Sequence, residues 1–217
     1  MAVSASQAAL GLLGGSFNPV HVGHLRGAIE AQSLLGIERV ALMPAPQAPL
    51  KDAPSVSIAH RIAMLNLAVA GLPGLSVDTR ELARSGPAYT VDTLLALREE
   101  YGPKLSLIFI MGADSLHNLP RWSRWEQLLE LANIAVMARP GAAELFPEPV
   151  SSWLANHRCD AQLLRQQPAG GVALLEQTPL AISSTAIRAD IHTGRSVRFL
   201  LPDAVIEYIA HNDLYRE

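Results

Sequence analysis

Two histidines three residues apart, His21 and His24, follow a glycine pair, Gly14 and Gly15, within the stretch GGSFNPVHVGH at 14 to 24. Glycines let a backbone approach a ligand closely, a helix N-terminus offers unpaired N–H groups to an anion, and imidazoles add directed donors. Together these residue types suit a phosphate. The stretch lies behind the apolar run Ala8 to Leu13 and ahead of a helical pattern beginning near Leu25, so it reads as strand, glycine turn and helix start. Taken alone, the histidine pair reads equally as a surface coincidence or half of a zinc site. The other histidines, 60, 117, 157, 192 and 211, are scattered and the lone Cys159 is remote, so no zinc spacing emerges. Neither GxGxxG nor a Walker lysine motif is present.

A second constellation is Ile182-Ser183-Ser184-Thr185-Ala186-Ile187-Arg188. Serine before a helix is usually an N-cap and nothing more. Here three consecutive hydroxyls, the free amides of a helix start and an arginine one turn on would make a compact anion cradle. A third candidate is Gly112-Ala113-Asp114, which ends the most apolar run of the chain, Leu105 to Met111. Asp114 suits a ribose hydroxyl, with an N-cap for the next short helix as the structural alternative.

The elements that must position these residues follow from periodicity. Strands are predicted at 8–13, 38–43, 75–78, 105–111, 134–137 and 172–175, and helices at 25–35, 57–70, 90–101, 123–131, 150–157, 183–192 and 202–211. The 57–70 helix carries Ile58, Ile62, Leu65 and Val69 at helical spacing, and Ser123-Arg124-Trp125-Glu126 has capping-box spacing. Pro44 to Pro54 holds four prolines and reads as an exposed loop over the same face as the glycine motif. Alternating strands and helices give an α/β, Rossmann-like doubly wound parallel sheet of order 3-2-1-4-5 with one extra strand, helices on both faces and a small C-terminal helical part from about 183. The crevice then lies between the strands ending at Leu13 and Met111, where such sheets bind ligands. The 217 residues read as a single domain, 1–217.

A formal charge of −3 with no Lys/Arg run argues against a general nucleic-acid binder, so any anion site must be local. No stretch approaches eighteen uninterrupted apolar residues, so no membrane span is expected. One cysteine forms no intrachain disulfide and fits a reducing, cytoplasmic setting. The oligomeric state stays open, a homo-oligomer included.

With HVGH and ISSTAIR together in a parallel α/β chain, the sequence resembles the nucleotidyltransferase superfamily marked by HxGH. Within it the chain resembles the bacterial nicotinate-nucleotide adenylyltransferases over essentially its whole length. The matching stretches are GGSFNPVHVGHL at 14 to 25, AHRIAML at 59 to 65, AYTVDTL at 88 to 94, GADSLHNLPRWSRWEQLL at 112 to 129, ARPG at 138 to 141 and ISSTAIR at 182 to 188. One departure is Ala48-Pro49-Leu50-Lys51, where many relatives read Pro-Pro-His-Lys.

The resemblance implies adenylyl transfer from ATP to nicotinate mononucleotide, giving deamido-NAD and pyrophosphate by direct in-line displacement, with Mg2+ accompanying ATP. It implies His24, His21 and Arg188 as catalytic. It places ATP on Gly15, Ser16, Phe17, His21, His24, Gly112, Asp114, Ile182, Ser183, Ser184, Thr185 and Arg188. Nicotinate mononucleotide falls to Ser16, Asn18, Lys51, Tyr89, Thr90 and Trp122, with Trp122 stacking on the pyridine ring. Trp122 and Trp125 read otherwise as packing residues, and Arg139 as a phosphate ligand or a strand-end cap. The first amides of the helix from Thr90 would favour a carboxylate over a carboxamide. The rival readings are an adenylyltransferase for nicotinamide mononucleotide or phosphopantetheine, and a non-catalytic nucleotide-binding regulatory module.

Overall fold

The computed structural model describes residues 9–46, 56–84, 88–138, 146–178 and 180–216. Along the chain run β1 (Ala9–Gly15), α1 (Val22–Leu35), β2 (Arg39–Pro44), α2 (Ile58–Val69), β3 (Leu75–Val77), α3 (Thr90–Tyr101), β4 (Ser106–Gly112), α4 (Ala113–His117) and α5 (Leu128–Leu131). They are followed by β5 (Asn133–Ala138), α6 (Val150–His157), α7 (Ala161–Leu164), β6 (Val172–Glu176), α8 (Ser184–His192) and α9 (Asp203–His211). The strands pair in parallel in the order β3-β2-β1-β4-β5-β6. That is the expected doubly wound order, with the extra strand at the far edge.

Parallel strands buried on both faces need apolar side chains in both directions, and the period-two alternation sorts them. Leu10 and Leu12 of β1 join Leu107, Phe109 and Met111 of β4 on one face, under α3, α4, α5 and α6. Leu13, Ile108 and Ile110 join the other face, under α1, α2, α7, α8 and α9. Gly11 falls on this second face by the same alternation, and Ile37 and Val40 already fill the space of a side chain there, 2.9 Å from where a Cβ would stand. Reversal of winding between β1 and β4 leaves their C-terminal ends, Gly15 and Gly112, side by side as expected.

Four local expectations are corrected. The glycine pair is not the turn: Gly14 and Gly15 still pair with Met43 and Pro44, and the chain turns at 16–20. α1 begins at Val22 rather than near Leu25, so His24 lies inside the first helical turn; Gly23 masked this because it carries no helix propensity. The capping box from Ser123 does not form, since Arg124 is left-handed with φ 53° and residues 125–127 make a 3-10 turn before α5. The buried face of α2 is Arg61, Met64, Leu65 and Ala68, rotated from the stripe read through Ile58 and Val69.

Buried polar residues gather at the two ends of the sheet. At the N-terminal ends of the strands, Arg98 donates to the carbonyls of Leu131, Gly102, Leu105 and Pro168, and the Asn133 amide to those of Leu164 and Gln167. These close loops that would otherwise bury unpaired carbonyls. At the opposite, C-terminal end lie Asn18, His21 and Arg61. Among the described residues no helix is long and apolar enough to cross a membrane.

Candidate active site

β1 delivers the chain at Gly15, whose missing Cβ makes room for the Phe17 ring, 2.9 Å from where that Cβ would stand. Phe17 has φ 43° and is fully buried, so the turn is held by packing. Its ring meets His24 edge-on at 5.0 Å, and His24 stacks on His21 with centroids 3.6 Å apart. His21 is the N-cap of α1, and its backbone N–H donates to His24 Nδ1 at 3.2 Å. A nitrogen facing an N–H donor carries no proton, so the His24 hydrogen sits on Nε2.

His21 is almost wholly buried, and its Nδ1 makes no hydrogen bond among the described residues. Burial lowers its pKa from an ordinary 6.5 to about 4. At neutral pH it is an uncharged imidazole stacked on its neighbour, and charge for an anion has to come from elsewhere.

The first turn of α8 docks directly on this loop. Ser184 Oγ donates to Pro19 O at 2.9 Å, and Arg188 donates to Asn18 O at 2.8 Å and to Thr185 Oγ1 at 3.4 Å. Ser183 Oγ caps α8 by accepting from the Ala186 N–H, and Ile182 lies against α1 at Gly23. The hydroxyls expected as an open cradle thus already hold partners within the protein. Ser183 and Thr185 only accept in these contacts, so their O–H donors remain for a ligand together with the amides of the α8 start and the rest of the Arg188 guanidinium. The Ser16 and Asn18 side chains lie on the same loop, Ser16 half-buried and Asn18 buried.

On the neighbouring strand, Gly112 is the N-cap of α4, and Asp114 is an exposed residue of that helix's first turn. The alternative of Asp114 as an N-cap is therefore not realised. Asp114 Oδ1 lies 2.7 Å from where a Gly112 Cβ would be, so this glycine is what lets the carboxylate fold toward the strand end. Trp122 packs edge-on against Phe109 at 6.0 Å and stays partly exposed. Tyr89 is the N-cap of α3, leaving the amides of Thr90 and Val91 without intrahelical acceptors. The Arg124–Asp92 ion pair ties the Trp122 segment to that helix start. Residues 47–54 of the expected proline-rich loop, Leu50 and Lys51 included, and Arg139 lie outside the described residues.

Three residues have a bearing on the site that the sequence did not disclose. Arg61, wholly buried, donates to the carbonyls of Ser16, Ala45 and Pro46 at 2.7, 2.8 and 3.0 Å, fastening the ends of β1 and β2 together. A cation on the apolar stripe of α2 was the available signal. Tyr215 donates to Asn18 Oδ1 at 2.7 Å from 197 positions along the chain, and no sequence signal marked it. Arg84 donates to Asp92 O at 2.7 Å and to Thr93 Oγ1 at 3.3 Å, placing a guanidinium beside the first turn of α3.

Residues 12–190 match the cytidylyltransferase-like family. A protein of Pseudomonas syringae pv. tomato named "probable nicotinate-nucleotide adenylyltransferase" is 44% identical over 207 residues, covering 95% of this chain and 93% of its own. One of Aeromonas salmonicida with the same name is 45% identical over 211 residues, covering 97% and 98%. The chain belongs to the nicotinate-nucleotide adenylyltransferase family. Its fold is that of the Plasmodium falciparum nicotinic acid mononucleotide adenylyltransferase solved with NaAD, at a TM-score of 0.72 and 19% identity over 96% of this chain and 97% of that one. Membership accounts for the two signature stretches standing in contact: HVGH and ISSTAIR meet through Pro19, Asn18 and Gly23.

The neutral state of His21 gives this family member a measurable acid sensitivity. Between pH 6.5 and about 4 the unfolded chain binds a proton at His21 that the folded protein excludes, so stability present above 6.5 is lost as the pH falls to 4. The loss should amount to about 3 kcal/mol. Buried Glu81, whose carboxyl is raised by desolvation, acts in the opposite sense, so the readout is the difference between wild type and His21→Asn in denaturant titrations across this range. Parallel curves for the two proteins would show that His21 titrates normally in the folded state.

Proposed function

We propose that the protein transfers the adenylyl group of ATP to nicotinate mononucleotide, releasing pyrophosphate and forming deamido-NAD, as a single cytoplasmic nucleotidyltransferase domain. The observation that carries this reading is the seating of α8 on the Asn18–Pro19 turn, which gathers His21, His24, Ser184 and Arg188 around the ends of β1 and β4. A phosphate monoester is already ionised at neutral pH, so the attack on the α-phosphorus needs no general base. Positioning and charge stabilisation are what the protein has to supply.

In this reading His24 Nε2–H donates to the phosphate that takes on negative charge as the bond to pyrophosphate breaks. Arg188 and the α8 amides hold the departing pyrophosphate, and Ser16 with Gly15 and Phe17 line the triphosphate path. Asp114 accepts from a ribose hydroxyl, with Gly112 giving room beside it. In this reading Mg2+ enters with the triphosphate as part of the substrate, shielding its charge. Asn18, Tyr89, Thr90, Trp122 and Lys51 are assigned to the acceptor.

Choice of the acid falls to the start of α3. A carboxylate facing the Thr90 and Val91 amides, with the Arg84 guanidinium beside the same turn, gains where a neutral carboxamide does not. Pyrophosphate release should be measured with ATP against nicotinate mononucleotide, nicotinamide mononucleotide and phosphopantetheine. Turnover with the acid mononucleotide, at a kcat/KM on the order of tenfold or more above the amide, is the expected result. Preference for either of the other acceptors, or ATP binding without release, would refute the proposal.

A further inference from the structure

Asn18 is tied down from two sides. Its backbone carbonyl accepts from Arg188, and its side-chain Oδ1 accepts from the Tyr215 hydroxyl at 2.7 Å. The Tyr215 ring is buried in the core shared by α1, α8 and α9, and Leu214 packs there beside it. The Asn18 side chain is itself buried, yet its Nδ2 has no hydrogen-bond partner among the described residues and is not sealed away from solvent.

An asparagine amide has two ends of opposite polarity and nearly equal shape, and its environment decides which end faces where. Reversed, this one would set Nδ2 against the Tyr215 oxygen and turn a carbonyl toward the phosphate loop. The phenol resists that arrangement. Burial raises its pKa well above the ordinary tyrosine range, so it keeps its proton, and the guanidinium groups of Arg61 and Arg188 close by favour an oxygen that points its hydrogen away from them.

We propose that Tyr215 is a positioning residue for the acceptor: its hydroxyl holds Asn18 Oδ1 so that Nδ2–H faces the phosphate of the mononucleotide. The residue touches no substrate and acts through Asn18 alone. This rests on the reading of the function given above, which assigns Asn18 to nicotinate mononucleotide. It adds a control on that contact from a segment remote in sequence, next to α9. Loss of the hydroxyl lets the amide turn over, and a carbonyl facing a phosphate repels where an N–H attracts.

The test is Tyr215→Phe, which keeps the buried ring, with KM measured separately for the two substrates. KM for nicotinate mononucleotide should rise about fivefold to tenfold while KM for ATP stays within about twofold. In the Asn18→Ala background the same change should have no further effect, because its only route of action is gone. Asn18→Asp supplies an independent measurement, since Tyr215 can still donate to the carboxylate while an anion replaces the donor. It should raise KM for the mononucleotide well beyond Asn18→Ala. An unchanged or uniform KM response in Tyr215→Phe, additivity with Asn18→Ala, or Asn18→Asp no worse than Asn18→Ala would overturn the proposal. A wild-type protein without turnover on nicotinate mononucleotide overturns the functional reading, and the role of Tyr215 with it. Wild-type turnover with an indifferent Tyr215→Phe overturns the role of Tyr215 alone.

Discussion

His24→Ala should lower kcat by about 10²–10³-fold, the cost of losing one well-aimed donor to developing charge. The structure separates that loss from damage to the fold. His24 is partly exposed, and its Nδ1 accepts the His21 N–H at 3.2 Å. Of its contacts with His21, removing the ring frees one amide at the start of α1 and one face of the His21 imidazole. A single hydrogen bond is worth about 1 kcal/mol, or roughly 2–4 °C in Tm for a chain of this size. Phe17, buried beneath the ring, keeps the turn in shape. The expected profile is a folded protein that binds ATP and releases almost no pyrophosphate. A folded variant with kcat within about tenfold of wild type would remove His24 from the mechanism.

His21→Ala would not be an equivalent experiment. That ring is buried, caps α1 and stacks under His24, so its loss mixes a packing defect with any effect on phosphate. The spacing of the two histidines suggested twin donors to phosphate. In the proposed mechanism His24 is the donor whose loss can be read cleanly, whereas His21, buried and uncharged at neutral pH, also supports the ring stacked on it.

The parts of the fold that were legible were those written in runs. Leu105 to Met111 and Ala8 to Leu13 are too apolar and too short for anything but buried strands, and a glycine at each strand end marked the crevice between them. The contact of HVGH with ISSTAIR followed once two halves of an anion site needed one place to meet. What was not legible depends on side chains reaching across the fold. Nothing local in Leu214-Tyr215 says that a phenol crosses to Asn18. The spacing in Ser123 to Glu126 met the capping-box rule, yet Arg124 turns left-handed there and its side chain reaches Asp92 on α3 instead. A local preference worth only about 1 kcal/mol does not set the backbone there. The ISSTAIR hydroxyls were correctly placed at a helix start, but sequence could not show that Ser184 donates to Pro19 O inside the protein while Thr185 accepts from Arg188.

The largest effect on the site as a whole should come from a residue that faces no ligand. Arg61→Met is expected to cost about 3–5 kcal/mol of stability, because three partly buried carbonyls, those of Ser16, Ala45 and Pro46, lose a wholly buried charged donor together. That is a large share of the 5–15 kcal/mol typical of a domain, and about 10 °C in Tm. The same side chain carries a second role that can be separated from the first. Burial lowers its pKa, but a guanidinium remains charged, and no carboxylate among the described residues lies within ion-pairing distance of it. Among the described residues its charge is met by carbonyl dipoles at the ends of β1 and β2, so positive potential extends through the Ser16 turn toward any phosphate bound there. Under the proposed function it would add to Arg188 in drawing a triphosphate to a chain of formal charge −3 with a neutral His21. Arg61→Lys keeps the charge but cannot span three acceptors, so it should recover ATP affinity more fully than thermal stability. Assayed well below its melting temperature, Arg61→Met should show KM for ATP raised about tenfold or more, and Arg61→Lys should lie near wild type. Equal KM values in all three proteins would leave Arg61 as a brace between β1 and β2 with no share in drawing the nucleotide in.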